Sequence, residues 1–94
     1  DEISKIQEQI KPILEKYQVK RSSLFGSFVR GEAAGDSDID VLVELGEQKG
    51  LFTLVRLKRE LEANLNRRVD LLTYNSINPL LKDKVMQDEY QIYG

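Results

Sequence analysis

Apolar residues recur every three or four positions at the start of the chain: Ile3, Ile6, Ile10, Ile13, Leu14 and Tyr17, with Lys, Glu and Gln between them. That spacing predicts an amphipathic helix over residues 2–17 with one buried stripe. Pro12 falls inside it, removes a backbone donor, and is expected to bend the helix or end a first half of it. A period of two takes over across residues 19–25 and predicts a short strand that stops at Gly26-Ser27. Residues 28–37 contain Gly31, Gly35, Asp36 and Ser37, and read as a turn or one short helix followed by a tight loop. Residues 39–45 are rich in β-branched and apolar side chains, the pattern of a strand buried on both faces and hence the centre of a sheet.

After a polar loop at 46–50, Leu51, Leu54, Val55, Leu57, Leu61 and Leu65 mark a second amphipathic helix over residues 51–66, with Asn66 suited to its end. Residues 68–74 form a third strand. Asn78-Pro79 then supplies a capping residue and a proline at the first helical position of a last helix through Asp88, with Ile77, Leu80, Leu81 and Val85 as its expected buried face. Residues 89–94 suit either an extension of that helix or a short strand. The order α-β-(short α)-β-α-β-α describes an α/β domain, a small three-stranded sheet flanked by helices. The helix between strands two and three is long enough for a crossover, so that pair is expected to be parallel. Strands one and two must run antiparallel if Gly26-Ser27 and Asp38 are to meet at one edge, so the sheet should be mixed.

Composition narrows the chemistry. Ninety-four residues make one domain, 1–94, too small for a catalytic domain and a separate substrate domain. With 40% hydrophobic and 32% charged residues the balance is that of an ordinary globular domain. No apolar run approaches membrane-spanning length and Asp1-Glu2-Ile3 lacks a signal-peptide layout, so a cytoplasmic protein is expected, without membrane contact. The absence of Cys and His excludes disulfides, thiolate zinc sites and imidazole bases. Carboxylates, hydroxyls, Lys and Arg remain. A net charge of -2 argues against direct nucleic-acid binding as the main role.

The unusual residues are concentrated between Leu24 and Asp40. Positions two apart on a strand share a face, so Asp38 and Asp40 project together, and two adjacent carboxylates repel unless a proton or cation is shared between them. Mg²⁺ suits such a pair, because it takes oxygen ligands and is usually completed by water and phosphate. Asp70, inside the apolar third strand, comes beside them if that strand is parallel to the second. Gly26 lets backbone approach a phosphate closely, and Ser27 offers hydroxyl and N–H donors. Each piece also has a plain reading. Asp-x-Asp can cap a turn, Gly-Ser is an ordinary turn, and Arg30 can pair with Glu32 or Asp36. Arg56, Lys58, Arg59, Arg67 and Arg68 suit solvated faces, while Tyr90 and Tyr93 suit packing or an interface. The combination is more specific than any member of it.

Gly26-Ser27, ten residues, then Asp38-Ile39-Asp40 resembles the GS-x₁₀-D-x-D signature of the DNA polymerase beta-like nucleotidyltransferase superfamily, and Asp70 stands where that family places a third carboxylate. The longer string GSFVRGEAAGDSDIDVLVE resembles the minimal nucleotidyltransferases of prokaryotes. The resemblance implies the nucleotidyltransferase fold and an enzyme that transfers AMP from ATP to a tyrosine hydroxyl. The implied acceptor is a partner HEPN-domain ribonuclease toxin, against which this chain would act as antitoxin in a hetero-oligomer. It implies Asp38, Asp40 and Asp70 as catalytic and metal-binding residues holding two Mg²⁺ ions, with Mn²⁺ able to substitute. Gly26, Ser27, Arg30 and Ser37 are the implied phosphate-binding residues. The alternative is a binding module that neutralises its partner by occupying its surface. Modification of a small molecule is a third reading, disfavoured because relatives of that kind carry an additional acceptor-binding domain.

Overall fold

The first apolar stripe is buried as expected. In the computed structural model, which describes residues 2–31, 38–46 and 50–94, it forms α1 (Glu2–Lys16) and inserts Ile6, Ile10, Ile13 and Leu14 into the core. The helix continues through Pro12, whose side chain is exposed. Burial of residues on both sides of the proline outweighs one missing backbone bond, so no break occurs there. α1 closes in a Schellman arrangement: Gln18 adopts a left-handed φ of 56°, its N–H donates to Glu15 O at 3.1 Å, and the Val19 N–H donates to Leu14 O at 3.0 Å. Because Val19 is engaged by the helix end, the first strand, β1 (Arg21–Phe25), begins two residues later than its period-two pattern.

The second and third strands, β2 (Ile39–Glu44) and β3 (Val69–Thr73), run parallel and are joined by the crossover helix α3 (Leu51–Leu65). β1 is antiparallel to β2, so the sheet is mixed as expected. It has four strands rather than three. The segment left undecided by its sequence is β4 (Tyr90–Tyr93), which pairs antiparallel with the outer edge of β1 and gives the order β3-β2-β1-β4. Ser22 and Ser23 of β1 are fully buried, and leaving that edge unpaired would strand its backbone groups. Ile92 of β4 turns inward to complete the layer, as a period of two over only four residues had left ambiguous.

One face of the sheet, carrying Leu24, Val41, Val43, Val69 and Leu71, packs against α1 and against Leu57 and Leu61 of α3. Truncating either buried leucine to Ala should cost about 2–5 kcal/mol. The other face carries Phe25, Leu42 and Leu72 and is covered by Ile77, Tyr74 and Val85, the last on α4 (Pro79–Asp88). Asn78 caps α4 by accepting from the Leu80 N–H at 2.9 Å, and Asn66 ends α3 at a left-handed φ of 54°, both as the sequence predicts. Two expected apolar faces are corrected. Leu80 and Leu81 are exposed, so α4 is anchored by Ile77, Val85 and polar contacts near its end. On α3, Leu51 and Val55 lie outside, leaving Leu57 and Leu61 as the buried pair with Leu54 and Leu65 partly covered.

Candidate active site

β1 delivers its end to the starts of the parallel pair. Gly26 follows at φ 77° and ψ -149°, and its carbonyl accepts the N–H groups of Val29 at 3.1 Å and Arg30 at 3.2 Å, opening the four-residue helix α2 (Ser27–Arg30). In register, Phe25 lies opposite Asp40, and Asp40 lies opposite Asp70. A side chain at Gly26 would overlap the Asp40 carboxylate, so glycine is required by space as well as by its positive φ. Asp40, half-buried between the Gly26 turn and Asp70, is pushed up from 3.8 to about 6. Burial is the main cause, followed by repulsion from Asp70 and Asp38; the Arg30 guanidinium opposes the rise.

Asp38 stands one residue before β2, and its carboxylate is turned toward Arg68 Nε at 3.3 Å. Arg30 is paired with Asp88 at the end of α4, tying the glycine turn to that helix. Thus Gly26, Ser27, Arg30, Asp38, Asp40 and Asp70 gather at one end of the sheet, while Ser37 lies outside the described residues. The pairing of Asp38 with Arg68 was missed: Arg68 read as part of a solvated face. The available signal was its place two residues before Asp70, which a parallel register sets against the start of β2, where the Ile39 N–H donates to Arg68 O at 3.0 Å. Arg67 lies with its guanidinium 4.6 Å from the centre of the Phe28 ring, behind the glycine turn.

The donor set is carboxylate oxygen, suited to a hard divalent cation, and the crowding of Asp40 and Asp70 is the disposition such a cation relieves. Among the described residues, no group of three acidic side chains is arranged to hold a metal. Asp38 faces Arg68. A cavity of about 660 Å³, bordered by Lys20, Arg21, Glu44, Leu51, Leu54 and Tyr74, lies at the opposite end of the sheet. It is remote from the carboxylates.

Residues 8–94 match the family model described as polymerase beta, nucleotidyltransferase. The chain belongs to that family. A Methanocaldococcus jannaschii protein named "Putative protein adenylyltransferase" is 54% identical over 90 residues, spanning 96% of this chain and 97% of that one. A solved structure described as a "putative minimal nucleotidyltransferase" is 33% identical with a TM-score of 0.80, covering 94% of this chain and 90% of that one. A crystal structure of a toxin-antitoxin with AMP-PNP is 26% identical, also at a TM-score of 0.80, covering 94% and 73% respectively. This nucleotidyltransferase shares its overall fold with those solved structures.

Proposed function

We propose that this nucleotidyltransferase moves AMP from ATP to a tyrosine hydroxyl of a partner HEPN-domain toxin in the cytoplasm, acting as its antitoxin within a hetero-oligomer. The observation that carries the reading is the register pair Asp40 and Asp70, packed against a glycine whose side-chain space is taken by the Asp40 carboxylate. The naming of a 54% identical relative as a protein adenylyltransferase, and the AMP-PNP in a toxin-antitoxin of the same fold, support the choice of nucleotide and of a protein acceptor.

Asp40 and Asp70, joined by Asp38 once it leaves Arg68, would hold two Mg²⁺ ions, or Mn²⁺ in their place. Bound there, the ions would neutralise triphosphate charge and lower the pKa of the attacking hydroxyl. Gly26 and Ser27 present the turn to the outer phosphates, with Arg30 and Ser37 as further phosphate contacts. The acceptor oxygen bonds to the α-phosphorus as the bond from that phosphorus to the bridging oxygen breaks; pyrophosphate leaves with the electron pair. Asp70 orients the acceptor and takes its proton.

The test uses a small amount of the protein with ATP, Mg²⁺ and a large excess of the HEPN protein. The excess should gain mass in adenylyl steps and stay inactive after separation. Chelator, or Asn at position 38, 40 or 70, should remove the gain. A triple Asp→Asn variant that protects cells as well as the parent, with no adduct on the recovered partner, would replace catalysis with stoichiometric binding.

A further inference from the structure

The first turn and a half of α3 presents an apolar face to solvent. Leu51 is 73% exposed, Phe52 85% and Val55 41%, on the side of the helix turned away from buried Leu57 and Leu61. At helical spacing these three form one contiguous patch, and Leu51 also borders the cavity at that end of the sheet. A helix secured by only part of its apolar surface needs no exposed Phe for its own stability, and a clustered patch is more informative than scattered apolar residues. Arg56, Lys58 and Arg59 flank the patch, all exposed. Among the described residues none of the three takes part in an ion pair. On a chain of net charge -2, this is a local reversal of sign.

We infer that this face of α3 docks an acidic amphipathic helix of the protein acceptor, and so holds the acceptor from the end of the sheet opposite the carboxylates. The inference rests on the adenylyltransferase reading and specifies how its protein substrate is held. Apolar anchors at helical spacing with a cationic flank suit a helix laid against the patch, and the flank selects negative charge on that helix. A lipid surface fits less well, because the patch adjoins a concavity bordered by Arg21, Glu44 and Tyr74 rather than a broad apolar plane. Four strand steps separate Asp40 from Glu44, roughly 13 Å. The docked segment therefore engages away from the reacting hydroxyl, and the two ends make separate contributions: affinity at α3, chemistry at the aspartates.

The experiment measures binding of the full chain to the unmodified HEPN protein by calorimetry, alongside adenylyl transfer read as mass. The Leu51→Asp/Phe52→Asp double variant should weaken partner binding by on the order of tenfold or more. It should also raise KM for the partner and leave kcat and Mg²⁺-ATP affinity at the parent value. Phe52→Ala, milder and helix-compatible, should follow with a smaller loss. Reversal at Arg56→Glu/Arg59→Glu should weaken binding and flatten its dependence on salt. Unchanged partner affinity in the double variant overturns the inference. So does a result in which the same substitutions abolish self-association in sedimentation, or binding to phosphatidylserine vesicles, without affecting the partner. A parent chain that binds the partner through this face but adds no mass refutes the transferase reading and leaves the docking surface standing.

Discussion

Replacing Asp40 with Asn tests whether crowding is what perturbs the site. A carboxyl raised from 3.8 to about 6 has a ceiling of about 3 kcal/mol of destabilisation when ionised, at about 1.4 kcal/mol per pH unit. Asp40 is only half-buried, and water screens much of that, so the working figure is about 1 kcal/mol. In a domain of this size about 1 kcal/mol corresponds to a melting-temperature change of about 4–8 °C. The sign follows from proton binding: between about pH 4 and pH 6 the folded chain holds the Asp40 proton more tightly than the unfolded chain. Its contribution to stability therefore falls as pH rises, and the deficit is complete above about pH 7. Asn imitates the protonated form. In chelator at about pH 7.5, Asp40→Asn should melt about 4–8 °C above the parent, with the gain shrinking to nothing near pH 4. Thermal melts followed by far-UV circular dichroism across that range measure it, and the difference between variant and parent removes the titration of the other carboxylates. Added Mg²⁺ should raise the parent's melting temperature and leave the variant's nearly unmoved. A variant that melts below the parent at neutral pH would make Asp40 a structural group. A gain independent of pH would show that repulsion and burial of charge are not its origin.

Two further substitutions probe the surroundings of that carboxylate. Gly26→Ala forces a side chain onto a backbone at φ 77° and into the Asp40 carboxylate; it should cost about 1–3 kcal/mol and abolish nucleotide binding, and parent-like melting with intact ATP affinity by calorimetry would refute the steric argument. Arg68→Ala removes the cation facing Asp38. Because the pair is exposed, stability should change by less than about 1 kcal/mol, while nucleotide-free Mn²⁺ affinity should rise severalfold; unchanged or weaker Mn²⁺ binding would mean that Arg68 does not compete for the carboxylate.

The parts of the fold legible in the sequence were those where local pattern and global packing agree. Asn66 and Asn78-Pro79 were readable because capping is local chemistry, and the parallel pairing of β2 with β3 followed from the length of the crossover. Legibility failed where a segment's environment is set by residues distant in sequence. β4 is four residues whose alternation acquires meaning only from the buried edge of β1. Leu51, Leu80 and Leu81 continue helical patterns as well as any core leucine does, but periodicity locates a stripe without saying how far along the helix the partner surface extends. In the site, Asp40 and Asp70 could be placed on strands, with Asp38 at the entry to β2. What spacing could not give was the direction of the Asp38 side chain, since that depends on Arg68 arriving from β3.

The position of the carboxylates follows from the single antiparallel step in the topology. In open α/β sheets ligands gather at the carboxyl ends of parallel strands, where helix starts and loops converge. Here Asp40 and Asp70 are the second residues of β2 and β3, at their amino ends. The strand that obeys the rule is β1: reversed against β2, it brings its own carboxyl end, with Gly26 and α2, to the amino ends of the parallel pair. Acidic side chains from two strands and a backbone turn from a third therefore meet within a sheet of only four strands. The same reversal sets the carboxyl ends of β2 and β3, together with the start of α3, at the far end of the sheet from Asp40 and Asp70. At that far end exposed Leu51 of α3 borders the cavity, and with the acceptor docked there as inferred, substrate holding and phosphoryl chemistry should be separable by mutation.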